Sequence, residues 1–278
     1  MPQPMLLSVN GTAVPDPFGP GFAADLGRIL SDPWKAVLAQ FWGQYFLNKF
    51  FWQPIGYPAL TYPMGPSAQA AVEEMVNQVH RNEVNGTCPV GWPLFASGYS
   101  QGAIATGHWL RHEVLSPSGR NHNRLDDVIK RGGIINFGDP LRSPGIALGN
   151  QIAGLPLPST LQGQVTGGIA GPDDLTPEET GDYVLSCAND GDLYASCPTG
   201  PDPKHEAQVG KVETGIFNII QQATFLNVIS IAEDLLTPVA TVEAIANGMS
   251  FVVAQMGPHG DYGKYVPAMT GWLINRAA

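Results

Sequence analysis

The chain has 278 residues but only three cysteines, and only 14% of its residues are charged. Three cysteines are too few to build a fold on disulfides. Cys187 and Cys197 bracket Ala188-Asn189-Asp190-Gly191-Asp192-Leu193. A bridge there would close a short loop; in a reducing compartment two buried thiols are the expected state, and Cys88 has no obvious partner. Lysine and arginine number 14 against 24 aspartates and glutamates, a formal net charge of −10. That balance argues against nucleic acid or an anionic membrane as partner and permits a neutral or lipidic substrate. No apolar run approaches the ~18–20 residues of a transmembrane helix. The first nine residues lack a basic n-region and read as a first strand, which predicts synthesis in a cytoplasm without a signal peptide. There is no His-Glu-x-x-His, so neither metal nor other cofactor is expected. No internal repeat or low-complexity tract occurs.

Glycine and proline are plentiful, 33 and 25, and 44% of the residues are hydrophobic. This fits one large core with many connections and an inserted subdomain. Met5–Val9, Trp52–Tyr57 (strand or extended loop, broken by Pro54), Trp92–Tyr99, Ile134–Phe137 and Asp182–Ala188 read as strands. Helical spacing covers 22–30, 34–46, 66–83, 100–114 and 265–275. On the third of these, Ala71, Val72, Met75, Val76 and Val79 share one face. Strands alternating with helices predict a parallel α/β sheet with helices on both faces. Between Gly200 and Gly257 no strand is evident, and 212–235 and 239–254 read as helices. The expected organisation is therefore a core of residues 1–199 and 258–278 interrupted by a helical insertion, 200–257.

The most informative motif is Gly98-Tyr99-Ser100-Gln101-Gly102. An apolar strand leads in and a helix-compatible run leads out, the context of a nucleophile elbow. The flanking positions must be small for strand and helix to pass closely, and the helix N-terminus then aims free N–H groups at the serine. Such a serine needs a base and an acid, in the chain order Ser, Asp/Glu, His. His80 precedes the serine. His108 and His112, four apart, read as solvated helix residues, and His122 and His205 sit in polar loops. His259, in Gly257-Pro258-His259-Gly260-Asp261-Tyr262 ahead of the last helix, is the expected base. For the acid, Asp192 ranks first, Asp190 second and Asp139, at a Gly-Asp-Pro turn, third. The oxyanion donors expected are the N–H of Gln101 and one from the loop after the first strand, at Thr12 or Gly11.

Gly98-Tyr99-Ser100-Gln101-Gly102, Cys88-Pro89 and the bracketed loop Cys187…Gly191-Asp192-Leu193…Cys197 resemble cutinases. The resemblance is closer to mycobacteriophage lysin B, the mycolylarabinogalactan esterases, in 52–58, in 189–195 and in the helical stretch between acid and histidine. It implies a cutinase-like α/β-hydrolase, Ser100, Asp192 and His259 as the triad, and Thr12 with Gln101 as oxyanion donors. One departure stands: cutinases pair their upstream cysteine with one nearer the N-terminus, and no cysteine precedes Cys88. The implied function is hydrolysis of the ester between mycolic acids and arabinogalactan at the host envelope during phage lysis. The alternatives are a cutinase-like lipase or polyesterase, a non-catalytic envelope-binding protein on a hydrolase fold, and a mycolyltransferase.

Overall fold

The short apolar runs become the strands of one parallel sheet. The computed structural model describes residues 2–31, 50–159, 165–199 and 257–278, together with Thr214 and Phe217. Strands β1 (Met5–Val9), β2 (Phe51–Ile55), β3 (Leu94–Tyr99), β4 (Gly133–Phe137) and β6 (Val184–Cys187) lie in the order β2-β1-β3-β4-β6, each neighbour parallel. A small antiparallel pair joins β5 (Thr166–Gly167) to β7 (Cys197–Pro198). The described α-helices are α1 (Phe22–Ser31), α2 (Met64–Val84), α3 (Gln101–His108), α4 (Leu125–Ile129), α5 (Leu148–Ile152), α6 (Pro177–Thr180) and α7 (Val266–Arg276).

The period-2 alternation of each strand divides the core. Leu7, Val9, Ala96 and Ile134 pack with Ala71, Val72 and Met75 of α2 and Ile104 of α3. Leu6, Phe95, Ile135 and Leu185 face the other way, onto Leu26 and Leu30 of α1 and Met269 and Leu273 of α7. Burying one such Leu or Phe stabilises by roughly 1.5–3 kcal/mol, whereas strand propensity spans only about 1 kcal/mol, so two-sided burial holds this sheet. Phe217 joins the α2–α3 side of the core, helical and buried. The expected helices at 34–46 and 239–254, the rest of the insertion and His205 lie outside the described residues.

Two elements differ from the sequence expectation. Pro54 does not break its strand: β2 is the sheet edge, so the missing N–H removes no ladder bond on its outer side. The helix after the elbow is not uniform either. It is α-helical to His108 and then winds as a π-helix over Trp109–Leu115. The wider turn buries Trp109, Leu110 and Val114, and the Trp109 indole N–H donates to Asn121 Oδ1 at 2.8 Å, giving the buried ring its partner.

Chain order reverses between β1 and β3. From β1 the chain crosses to β2 on one side and returns to β3 on the other, which opens a crevice beyond their carboxyl ends. The loops after β1, β3, β4 and β6 all open at that edge.

Candidate active site

Ser100 follows β3 directly and occupies φ 55°, ψ −117°. A non-glycine residue at positive φ costs about 1–3 kcal/mol and persists only where its surroundings impose it. Here Ser100 N donates to Phe137 O at 3.0 Å, and Ser100 O accepts from Ala103 N at 2.8 Å. The two flanking glycines are sterically required. A Cβ on Gly98 would stand 2.5 Å from Gly102 O, and one on Gly102 would enter Val9 O. The elbow brings the start of α3 against β1, and only glycine fits.

His259 lies on the one-turn 3₁₀ helix Pro258–Gly260. Its Nδ1 is 2.8 Å from Asp192 Oδ2, and its side chain is 15% exposed against 0% for Asp192. With Nδ1 donating to the carboxylate, Nε2 carries the lone pair. Nε2 is buried and has no hydrogen-bond partner among the described residues, Ser100 Oγ included. The ring stacks on Tyr99, the residue before Ser100, with centroids 5.2 Å apart, and meets Tyr194 at 4.6 Å. The Tyr99 hydroxyl also donates to His259 O at 2.9 Å. Gly138, at φ 56°, closes the same corner: a Cβ there would lie 2.7 Å from His259 Cε1 and 3.2 Å from Asp192 Oδ2.

Of the three candidate acids, the geometry brings Asp192 to the imidazole. Besides His259, its carboxylate accepts from Tyr194 N at 3.0 Å and from the Tyr262 hydroxyl through a short bond. Asp190 is exposed and accepts instead from Ser159 N. Asp139 is fully buried and accepts from Asn136 Nδ2, Leu141 N and Ser186 Oγ. It ties β4 to β6 and starts the following turn. Burial pushes its carboxyl above the ordinary range, against the pull of those three bonds.

The oxyanion candidates lie at the start of α3 and in the turn after β1. Gln101 is the first residue of α3, so its backbone N–H has no intrahelical acceptor. Its side chain is fully engaged: Nε2 donates to Leu60 O at 3.0 Å and Met64 O at 3.2 Å, and the Tyr57 hydroxyl stands 3.3 Å from Oε1. That hydroxyl donates to Asn10 O at 2.7 Å, which joins the end of β1 to the elbow helix. Thr12, half-buried, follows in the turn after β1, and Gly11 lies so close to Tyr99 that a Cβ would be 2.9 Å from its ring.

Sequence reasoning missed several residues of this corner. Asn189 donates from Nδ2 to Pro258 O at 2.7 Å and Asp261 O at 2.9 Å, clamping the histidine loop to the acid loop. Tyr262, Tyr99 and Gly138 carry no role in the sequence reading either, whereas Tyr194 is expected there as an apolar anchor of Asp192. The signals available were positional: Gly138 ends a strand, Asn189 begins the acid loop, and Tyr262 follows the histidine by three residues. Cys88 and Cys187 are buried free thiols, and Cys197 is buried as well. His108 lies 3.4 Å from Asp173, and no group of three residues suited to a metal occurs among the described residues.

A doubly covered parallel sheet with a strained serine at its carboxyl edge defines the chain as an α/β-hydrolase. Comparison with known proteins narrows this. The chain is 34% identical over 214 residues to endolysin B of Mycobacterium phage D29, covering 76% of this chain and 73% of that protein. It is 32% identical over 213 residues to endolysin B of Mycobacterium phage L5, with the same coverage. The crystal structure of lysin B from mycobacteriophage D29 superposes with a TM-score of 0.71 at 29% identity, covering 96% of this chain and 98% of that one. No family model matches. The chain belongs to the mycobacteriophage endolysin B family, as the elbow and acid-loop motifs imply.

Proposed function

We propose that the protein is a serine esterase that cleaves the ester between mycolic acids and arabinogalactan in a mycobacterial-type envelope during phage-induced lysis. The observation that carries this reading is the His259–Asp192 pair, 2.8 Å apart, packed on the residue that precedes a strained Ser100. In this reading Ser100 Oγ rotates to His259 Nε2, gives up its proton and attacks the ester carbonyl. The N–H groups of Gln101 and Thr12 hold the oxyanion. The imidazolium, held by Asp192, protonates the ester oxygen of the sugar, which departs as a hydroxyl and leaves the acyl group on Ser100. Water, activated by the same imidazole, then releases the mycolate.

The mycolyl substrate is supported by family membership. Residues 200–257 are proposed as a helical insertion beside the acyl chain. Phe217, buried in the core, supports the insertion by packing rather than by lining a groove. The test is incubation with purified mycolyl-arabinogalactan and chromatographic detection of free mycolic acid. Release by the wild type and none by Ser100→Ala supports the reading. Turnover of short esters only would leave a cutinase-like esterase instead.

A further inference from the structure

Among the described residues three donors reach the Asp192 carboxylate, and only His259 among them belongs to the proposed triad. His259 Nδ1 and the Tyr262 hydroxyl bond the same oxygen, Oδ2, while Tyr194 N bonds Oδ1. Tyr262 is 0% exposed. Its ring is enclosed by Phe22 at 5.9 Å, Phe137 at 6.1 Å and Tyr265 at 5.7 Å. Phenylalanine would satisfy that packing. The hydroxyl adds a charge-assisted hydrogen bond to the carboxylate oxygen that the imidazole uses.

We infer that Tyr262 is a positioning residue that shares the charge of Asp192 Oδ2 with His259 and so sets how firmly the imidazolium is held during ester cleavage. This rests on the triad proposed above. A carboxylate oxygen divided between two donors attracts each less than it would attract one alone. Without the phenol, Oδ2 turns wholly to Nδ1–H, the imidazolium is held more tightly, and the free base forms only at higher pH. Tyr262 therefore keeps the base available toward acid pH.

The surroundings leave this lever to Tyr262. Burial, then the charge of Asp192, hold its phenol well above the usual range, so it remains a donor. Tyr99 is pushed up to about 12 by burial and by Asp192, and Tyr194 is raised by the same causes. Tyr265, packed on Tyr262, is raised chiefly by burial. Arg142 is brought down to about 10 by burial; it stays cationic through neutral pH and lends a constant positive field to Asp192 and Tyr262. Asp139 and Asp174 act on that same guanidinium. Asp261 and Lys264, next to Tyr262 in the chain, are exposed and screened by solvent.

The test is the pH profile of kcat/KM on a short nitrophenyl ester, alongside Asp192→Asn. Tyr262→Phe should move the midpoint of the acid limb up by roughly half to one pH unit, with the plateau lowered about tenfold or less. Replacing Tyr262 by 3-fluorotyrosine, a stronger donor, should move the limb the other way. An acid limb unmoved in both variants, with Asp192→Asn inactive, reduces Tyr262 to packing and overturns the proposal alone. A fully active Asp192→Asn removes the acid assignment and the proposal with it. Should Tyr262→Phe fail to fold, the fluorotyrosine limb decides by itself.

Discussion

Asp192 and Asp174 are both buried carboxylates in the field of Arg142, yet their surroundings are opposite. Asp192 has donors on both oxygens, from an imidazole, a phenol and a backbone N–H. No side chain among the described residues donates to either oxygen of Asp174, and burial raises its carboxyl well above the ordinary range against the pull of the Arg142 guanidinium and the Gly168 N–H. Arg142 itself is spent on Ala195 O, Ile146 O and Thr166 Oγ1. Burial and a displaced titration are thus shared by Asp174 and Asp139, neither of which bonds His259. What distinguishes Asp192 is convergence: its donors come from two distant loops and hold one imidazole beside one serine.

The sharpest test of that contrast is removal of the proposed nucleophile. Ser100→Ala should lower kcat on a nitrophenyl ester by roughly 10⁴–10⁶ with an unchanged circular dichroism spectrum. Undiminished turnover would erase the distinction between the two regions. Next comes the acid. Asp192→Asn should cost about 10⁴ in kcat, because an amide does not hold the imidazole tautomer. Asp139→Asn should instead lower stability by about 1–3 kcal/mol in denaturant melts and leave kcat within about tenfold. Equal kcat losses would mean that both carboxylates serve the base.

Asn189→Ala probes the clamp. Losing the bonds to Pro258 O and Asp261 O should loosen the histidine loop and lower kcat/KM by roughly 10–100-fold, since misplacement of about 1 Å is enough. Wild-type kinetics would show that the two loops are held elsewhere.

The smallest effect belongs to Asp174. Its carboxyl is raised in the folded chain, so its contribution to stability is fully present below about pH 4 and declines as pH rises toward the folded value. Asp174→Asn should remove that decline. Its stability relative to wild type should grow by up to about 1.4 kcal/mol per pH unit across that window, with kcat unchanged. A parallel pH dependence in both proteins would mean that Arg142 keeps Asp174 ionised in the folded state.

The elbow was legible because its constraints are local. Strand, turn and helix are consecutive, and the crowding that demands Gly98 follows from their succession, whereas Gly102 is demanded by the approach of β1 at Val9 O; β1 and α2 were likewise readable from period and burial pattern. The edge position that lets Pro54 stay in β2 was not legible, because it depends on strand order. Nor was the π-helical turn at Trp109, whose partner Asn121 lies beyond the helix.

The sequence by itself determined the hydrolase class and marked Ser100 as the candidate nucleophile, since the elbow is written in residues that are neighbours along the chain. Only the tertiary structure decided which aspartate meets the imidazole. Asp192 and His259 stand 67 residues apart, and Asp192 and Tyr262 70 apart. Asp139, Asp190 and Asp192 all follow strands of the same sheet, so the sequence ranks them, Asp192 first, without placing any of them against the imidazole. They separate only when the sheet fixes where each strand ends and Asn189 pins the last loop against the acid, because hydrogen bonds are made across space, to atoms 2.8 Å away.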